Sequence, residues 1–349
     1  MLSNPPYGKS WKTDQDRMGG KGEITDPRFV IQYADNPEYK MITRSSDGQM
    51  LFLVNKLAKM KNSTDLGSHI AEVHNGSALF TGDAGQGESN IRRWIIENDW
   101  LEAIVALPEN MFYNTGIATY IWLLSNRKSA ARKGKVQLID ASKMYVPLRK
   151  NLGKKNCEFS EEQINKITDL IVNPVETEVS KIFPNKAFGY YKVTVERPLK
   201  LKNIDADKAY NSKEVKEMVA AGKIDENGIP VIKKIQKSGS PDTLHGLFER
   251  VIAGKKVMVE YESDTSLRDT EQIPILEPGG IDAFFSREVI PYAPGAWIDN
   301  SKTQIGYEVS FTKYFYKPVQ MRTLEEIVAD IKKIEAETDG LLSEIIDNQ

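Results

Sequence analysis

A chain of 349 residues with 40% hydrophobic and 28% charged side chains is long enough for two or three domains and reads as an ordinary globular composition. Its formal net charge of −2 excludes a chain that coats nucleic acid indiscriminately, yet 47 Lys and Arg leave room for a locally basic face. A single cysteine, Cys157, excludes an internal disulfide or a cysteine-based metal site, His69, His74 and His245 are too scattered for zinc, and no apolar run approaches a membrane span, so a reducing, cytoplasmic location without a membrane is expected.

The first feature in chain order is Asn4-Pro5-Pro6-Tyr7. An Asn side chain both donates and accepts, a Pro frees the carbonyl before it, and a Tyr ring offers a stacking surface. Such a set suits a planar amine, and a Pro-Pro pair equally suits a plain turn. From Gly8 to about Gly48 the chain is polar and loop-like, long enough to be functional or mobile. Asp47 then caps an expected helix from about Gly48 to Met60, and Ile70 to Val73 reads as a strand ending at His74-Asn75-Gly76.

Gly82-Asp83-Ala84-Gly85-Gln86-Gly87 precedes a helix, Asn90 to Glu97, and can be read as a phosphate loop or as a capping loop. Its spacing misses the dinucleotide fingerprint, and Glu88 with Ser89 suits a cap. Strands follow at Leu101–Leu107, Ala118–Leu124 and Lys135–Ile139; the second is nearly all apolar, and the first two suit an antiparallel pair at one edge of a buried α/β sheet. Arg149 to Lys155 looks like an exposed linker, 160–182 like a helix that Pro174 breaks or bends, and Tyr190–Val195 like a strand. Residues 210–300 give no readable fold. Trp94, Trp100 and Trp122 sit in apolar segments as core, whereas Trp11 lies in the polar loop. The basic stretches Arg127-Lys128, Arg132-Lys133, Arg149-Lys150 and Lys154-Lys155 are either solvated or phosphate contacts.

At the end of the chain Leu324, Ile327, Ile331, Ile334, Thr338, Leu341 and Ile345 form a heptad seam on one long helix. Such a stripe must be buried, against its own body or in a coiled-coil contact with another chain.

These pieces together resemble the N6-adenine DNA methyltransferases, and more narrowly the modification subunits of type I restriction-modification systems. The resemblance runs through Asn4-Pro5-Pro6-Tyr7-Gly8, Asp26-Pro27-Arg28-Phe29, Leu51-Phe52-Leu53, His74-Asn75-Gly76-Ser77-Ala78-Leu79-Phe80, Asn90-Ile91-Arg92-Arg93, Glu97-Asn98-Asp99, Leu107-Pro108-Glu109-Asn110-Met111-Phe112-Tyr113-Asn114-Thr115-Gly116 and Ile139-Asp140-Ala141-Ser142. It implies a catalytic set of Asn4, Pro5, Pro6 and Tyr7, in which Asn4 and the Pro5 carbonyl bind the amine of an adenine flipped from the duplex and Tyr7 stacks on the base. The implied donor is S-adenosyl-L-methionine, although the family's glycine-rich donor loop precedes the tetrapeptide and has no match here, so the donor-binding residues are unknown and the isolated chain is expected to be inactive. No metal is implied. The implied partners are double-stranded DNA, a specificity subunit through Leu324, Ile327, Ile331, Ile334, Leu341 and Ile345, and a restriction subunit.

The expected fold is α/β: an incomplete doubly wound methyltransferase sheet of the later strands, with an antiparallel edge pair. A mixed, mainly helical C-terminal region and a terminal coiled-coil-like helix follow. The expected domains are 1–148 (methyltransferase), 149–320 (mixed α/β) and 321–349 (subunit contact). Two readings stand beside adenine methylation. One is a truncated, catalytically incompetent subunit that binds DNA or the specificity subunit; the other is a methyltransferase acting on a protein glutamine or on RNA. A sheet without its first strands exposes an apolar edge, so poor solubility without a partner is expected.

Overall fold

The computed structural model describes residues 1–20, 22–33, 36–113, 115–316 and 322–347, with side chains at all of these except 36–38, 335 and 339–347. Contacts group the chain into two units, Met1–Ser310 and Phe311–Gln349.

A six-stranded sheet organises the first unit. Its surroundings, in chain order, are β1 (Leu2–Ser3), α1 (Gln49–Leu57), β2 (His69–Asn75), α2 (Gly87–Glu97), β3 (Leu101–Ala106), β4 (Thr119–Ser125), β5 (Lys135–Asp140), the hairpin β6 (Val146–Leu152) and β7 (Lys155–Glu158), α3 (Glu161–Val172) and β8 (Ser180–Pro184). The strand order is β1-β2-β4-β3-β5-β8. β1 is parallel to β2, β3 is parallel to β5, and β4 is antiparallel to both β2 and β3. Consequently β1, β2, β3 and β5 all point the same way, and the segments that follow them emerge at one edge of the sheet.

Leu101, Ala103, Ile104 and Val105 of β3 are all buried, as a continuous apolar strand requires when both of its faces are covered. One cover is α3, which lays Ile167 and Leu170 on Val105, Leu107, Ile139 and Ala141. The antiparallel pair β3–β4 lies inside the sheet, not at its edge. The edges fall to the two-residue β1 and to β8, whose Lys181 and Pro184 suit a border strand.

The expected helix 160–182 is two elements. Ser160 and Gln163 form a reciprocal capping box at the start of α3, and the helix stops at Val172. Pro174 cannot continue it, and residues 180–184 instead pair antiparallel with β5.

The C-terminal part of this unit is mostly β, against the expectation of a mainly helical region. β9 (Gly189–Glu196) is the centre of an antiparallel sheet between β10 (Asp269–Pro274) and β11 (Trp297–Tyr307). Ile232–Gln236, Phe248–Ile252 and Lys255–Tyr261 form another. β9 falls where Tyr190–Val195 reads as a strand, but the others were illegible because they keep a solvated face: β11 buries Trp297, Ile298 and Tyr307 around an exposed polar middle, so no apolar run marks it.

In the second unit α4 (Leu324–Asp347) is a single helix on which Leu324, Ile327, Ile331 and Ile334 are exposed. The side chains of Leu341 and Ile345 lie outside the described residues.

Candidate active site

β1 delivers the tetrapeptide. Leu2 pairs with Ala71 and Ser3 with Glu72, so Asn4 begins the turn at the carboxyl end of a parallel strand. That edge is where ligands of open α/β sheets sit. Pro5 is buried and Tyr7 half-buried, whereas Asn4 and Pro6 are exposed. Among the described residues neither the Asn4 side chain nor the Pro5 carbonyl takes part in a hydrogen bond. Burial raises the pKa of the Tyr7 phenol, which therefore stays neutral.

A brace fixes the far side of the turn. Gly8, with φ of +68°, donates its N–H to Asp47 Oδ1 at 3.1 Å. The Trp11 N–H donates to the Ser45 carbonyl at 2.9 Å and its Nε1–H to the Arg44 carbonyl at 2.9 Å, while the Gly48 N–H donates back to the Lys9 carbonyl at 3.3 Å. Gly48 is needed there, since a Cβ would meet the Trp11 ring at 3.0 Å.

Asp47 is itself held. Oδ1 accepts the Gln49 N–H at 3.1 Å, and Oδ2 accepts Gln49 Nε2 at 2.7 Å. Gln49 also donates to Asn75 Oδ1 at 2.6 Å, and its Oε1 accepts the Asn75 N–H at 3.0 Å. One buried amide thus joins the segments that leave β1 and β2. The expected capping role of Asp47 is half of the story: it satisfies the Gln49 N–H and, with the same oxygen, the Gly8 N–H. Sequence reasoning missed Gln49 altogether. The only available signal was a polar residue at the buried start of an apolar helix.

Beneath the brace, on β2, Glu72 and His74 are fully buried. Glu72 pairs with Lys56, and burial raises its pKa despite that partner. His74 packs edge-on against Trp122, with ring centroids 5.4 Å apart. Burial, and secondarily the Lys56 charge, push its pKa down to about 3, so it is neutral.

Beside the turn lies an open groove of about 430 Å³, walled by Pro6, Trp11, Leu51 and Phe52 with Lys9 and Asn55 at its rim. The glycine cluster 82–87 is a packed turn, as its capping reading holds. A Cβ on Gly87 would meet the Ile42 carbonyl oxygen at 2.0 Å, and Gly85 abuts Gln304. Glu88 accepts the Arg44 N–H at 2.9 Å. Arg92, fully buried, donates to the Ala78 carbonyl at 3.0 Å, the Gly82 carbonyl at 3.2 Å and the Tyr307 carbonyl at 2.5 Å. Gly87 is thus packed on backbone, and Gly82 and Gly85 lie against the side chains of Glu88 and Gln304.

A family model described as N-6 DNA Methylase matches residues 1–196. This chain belongs to the N-6 DNA methylase family. Over 169 residues this family member is 38% identical to the MjaIX methylase subunit of a type I restriction enzyme from Methanocaldococcus jannaschii, a match covering 48% of this chain and 27% of that protein. It is 27% identical, again over 169 residues, to the MpnII methylase subunit of Mycoplasma pneumoniae, covering 48% and 26% of the two chains. It thus spans about a quarter of the length of these curated relatives. The type I restriction-modification methyltransferase subunit of Streptococcus thermophilus aligns in structure with a TM-score of 0.41 at 23% identity, over 54% of this chain and 34% of that one.

Membership implies a methyl donor, S-adenosylmethionine, and the described residues do not fit the whole of it. The groove offers apolar walls for a flat ring, but the one carboxylate among its lining residues, Asp14, is exposed, and among the described residues no glycine-rich loop or helix of eight or more residues opens onto it at its N-terminus other than Gly48 at the start of α1.

Proposed function

We propose that this N-6 DNA methylase family member supplies the base-holding side of a type I modification subunit that methylates adenine N6 in DNA. The observation that carries the reading is the Asn4–Tyr7 turn, braced from behind and presenting two unused polar groups at the carboxyl edge of the sheet. The amine of adenine is a weak nucleophile because its lone pair is delocalised into the ring. The Asn4 side-chain oxygen and the Pro5 carbonyl each accept one N–H of that amine and favour a tetrahedral nitrogen, whose lone pair then points away from both. This is orientation and electrostatic stabilisation without a covalent intermediate. Tyr7, neutral and half-buried, stacks on the flipped base, and the brace through Gly8 and Asp47 keeps its ring in place.

A second reading, a module that binds DNA or a specificity subunit without catalysis, is favoured by the lack of fit to the donor. Titration calorimetry of the isolated chain with S-adenosylmethionine bears on it. The base-holding reading predicts no measurable binding, and micromolar affinity would show that a donor site is present after all. Methyl transfer from labelled donor by the assembled complex, followed by nucleoside chromatography, tests the chemistry. Label in N6-methyladenine is expected; label in cytosine or in protein would overturn the proposal.

The partner reading rests on α4, whose Leu324, Ile327, Ile331 and Ile334 are exposed along one heptad stripe. Ile331→Asp with Ile334→Asp should abolish association with the specificity subunit while the remainder stays folded, and unchanged association would sink it.

A further inference from the structure

The structure sorts the basic residues into two kinds. In the stretch after β4, Lys128 and Arg132 are structural, while Arg127 and Lys133 are exposed. Lys128 is buried and donates to Asp99 Oδ1 at 2.6 Å and the Lys135 carbonyl at 2.7 Å, while Arg132 is buried and donates to Gln137 Oε1 at 3.0 Å and to the Ile171 carbonyl. Burial lowers the pKa of both. Both heads are turned into the protein and bonded there, away from a phosphate.

The second stretch stands out from the protein. Between residues 143 and 158 the chain carries Lys143, Arg149, Lys150, Lys154 and Lys155 against one acid, Glu158, in a molecule of net charge −2. Lys143, Arg149, Lys150 and Lys154 are exposed and Lys155 is half-exposed; an ion pair of 3.8 Å links Lys155 to Glu158. Exposed Tyr145 and Leu152 lie among them. The hairpin is rooted firmly: the Asn156 N–H donates to the Asn110 carbonyl at 3.1 Å, and the buried Cys157 thiol to the Glu109 carbonyl at 3.3 Å. It follows β5, which points the same way as β1, so it leaves the sheet at the edge that carries the Asn4–Tyr7 turn. In the strand order β5 is four positions from β1, or about 19 Å at roughly 4.8 Å per strand. That distance corresponds to about five or six phosphates along one strand of a duplex.

We propose that the hairpin β6–β7 is a phosphate-backbone contact of duplex DNA, gripping the strand about half a helical turn from the base held at Asn4–Tyr7. This rests on the reading of DNA as the substrate and adds to it where the duplex lies. Long, exposed cations on a rigid two-stranded ribbon track a polyanion without reading its sequence, and each phosphate neutralised releases counterions.

The test is fluorescence anisotropy of a plain duplex oligonucleotide titrated with the full chain across a salt series. Three proteins are compared: wild type; Arg149→Gln, Lys150→Gln, Lys154→Gln, Lys155→Gln together; and a charge-matched control, Lys233→Gln, Lys234→Gln, Lys255→Gln, Lys256→Gln, at exposed sites on another sheet. Each lost phosphate contact removes about 0.9 from the slope of log affinity against log salt, so the hairpin variant should flatten by roughly 2 to 4 while the control keeps the wild-type slope. An unchanged thermal midpoint shows that the variants fold. If wild type binds and the hairpin variant keeps its slope, or the control loses as much, the hairpin is not the contact and the DNA reading stands. If wild type shows no salt-dependent binding of duplex, the DNA reading and this inference both fall.

Discussion

The Asn4–Tyr7 turn and the glycine cluster at 82–87 look alike as sequence: each follows a strand near the carboxyl edge of the sheet, and each is composed of residues that bind ligands. In space they differ in one respect. Among the described residues two polar groups of the turn, the Asn4 side chain and the Pro5 carbonyl, have no hydrogen-bond partner, while the turn is constrained by Asp47, Gln49 and Trp11. The cluster has spent its own, with Gly87 against Ile42 and the Gly82 carbonyl on Arg92. A ligand loop is therefore recognised by what its backbone groups are doing, and composition cannot report that.

The comparison can be broken at its packed side first. Arg92→Met leaves three buried carbonyls short of a donor and should destabilise the fold by about 3–5 kcal/mol in denaturant unfolding. Gly87→Ala should cost about 3 kcal/mol, because the Ile42 carbonyl must move. A stability unaffected by either change would mean that the cluster is an open cradle. On the other side, Asp47→Ala should cost less, on the order of 1–3 kcal/mol, and act locally. Hydrogen exchange at the Gly8 amide should accelerate while amides of the 82–87 cluster keep their protection; uniform acceleration would show that the brace is only a global support.

The last effect, spread over several pH units and small at each, concerns pH. His74 is held neutral in the folded chain, with its pKa depressed to about 3, and regains its ordinary value on unfolding. Its contribution is whole above the unfolded pKa and is lost as pH falls from there toward 3, by at most about 1.4 kcal/mol per pH unit. His74→Gln should make the unfolding free energy less steep across that window. An identical slope would place the acid sensitivity elsewhere.

Much of the sheet was legible because β3 and β4 are mostly apolar, broken only by Glu102, Thr119 and Ser125, and β5 keeps Val136, Leu138 and Ile139 buried. The position of the β3–β4 pair was not, since the outer neighbours β1 and β8 are a two-residue strand and a polar one. β9 shows in Tyr190–Val195, but the later strands, up to residue 307, stayed hidden for a related reason: half-solvated antiparallel strands alternate with polar residues and leave no run. At the site, the tetrapeptide could be read from its side chains, whereas Gln49 could not, because its importance comes from joining two loops distant in sequence. The two kinds of basic stretch were equal on paper and separate only through the burial of Lys128 and Arg132.

The central claim is that Asn4 holds an adenine of DNA for methylation. Genome-wide detection of N6-methyladenine in two strains that differ only by Asn4→Ala tests it most directly, with protein levels checked by immunoblot. The account predicts that one sequence-specific set of methylated adenines disappears, with transfer at those sites falling at least about 100-fold. An unchanged methylation pattern at equal protein level would contradict it.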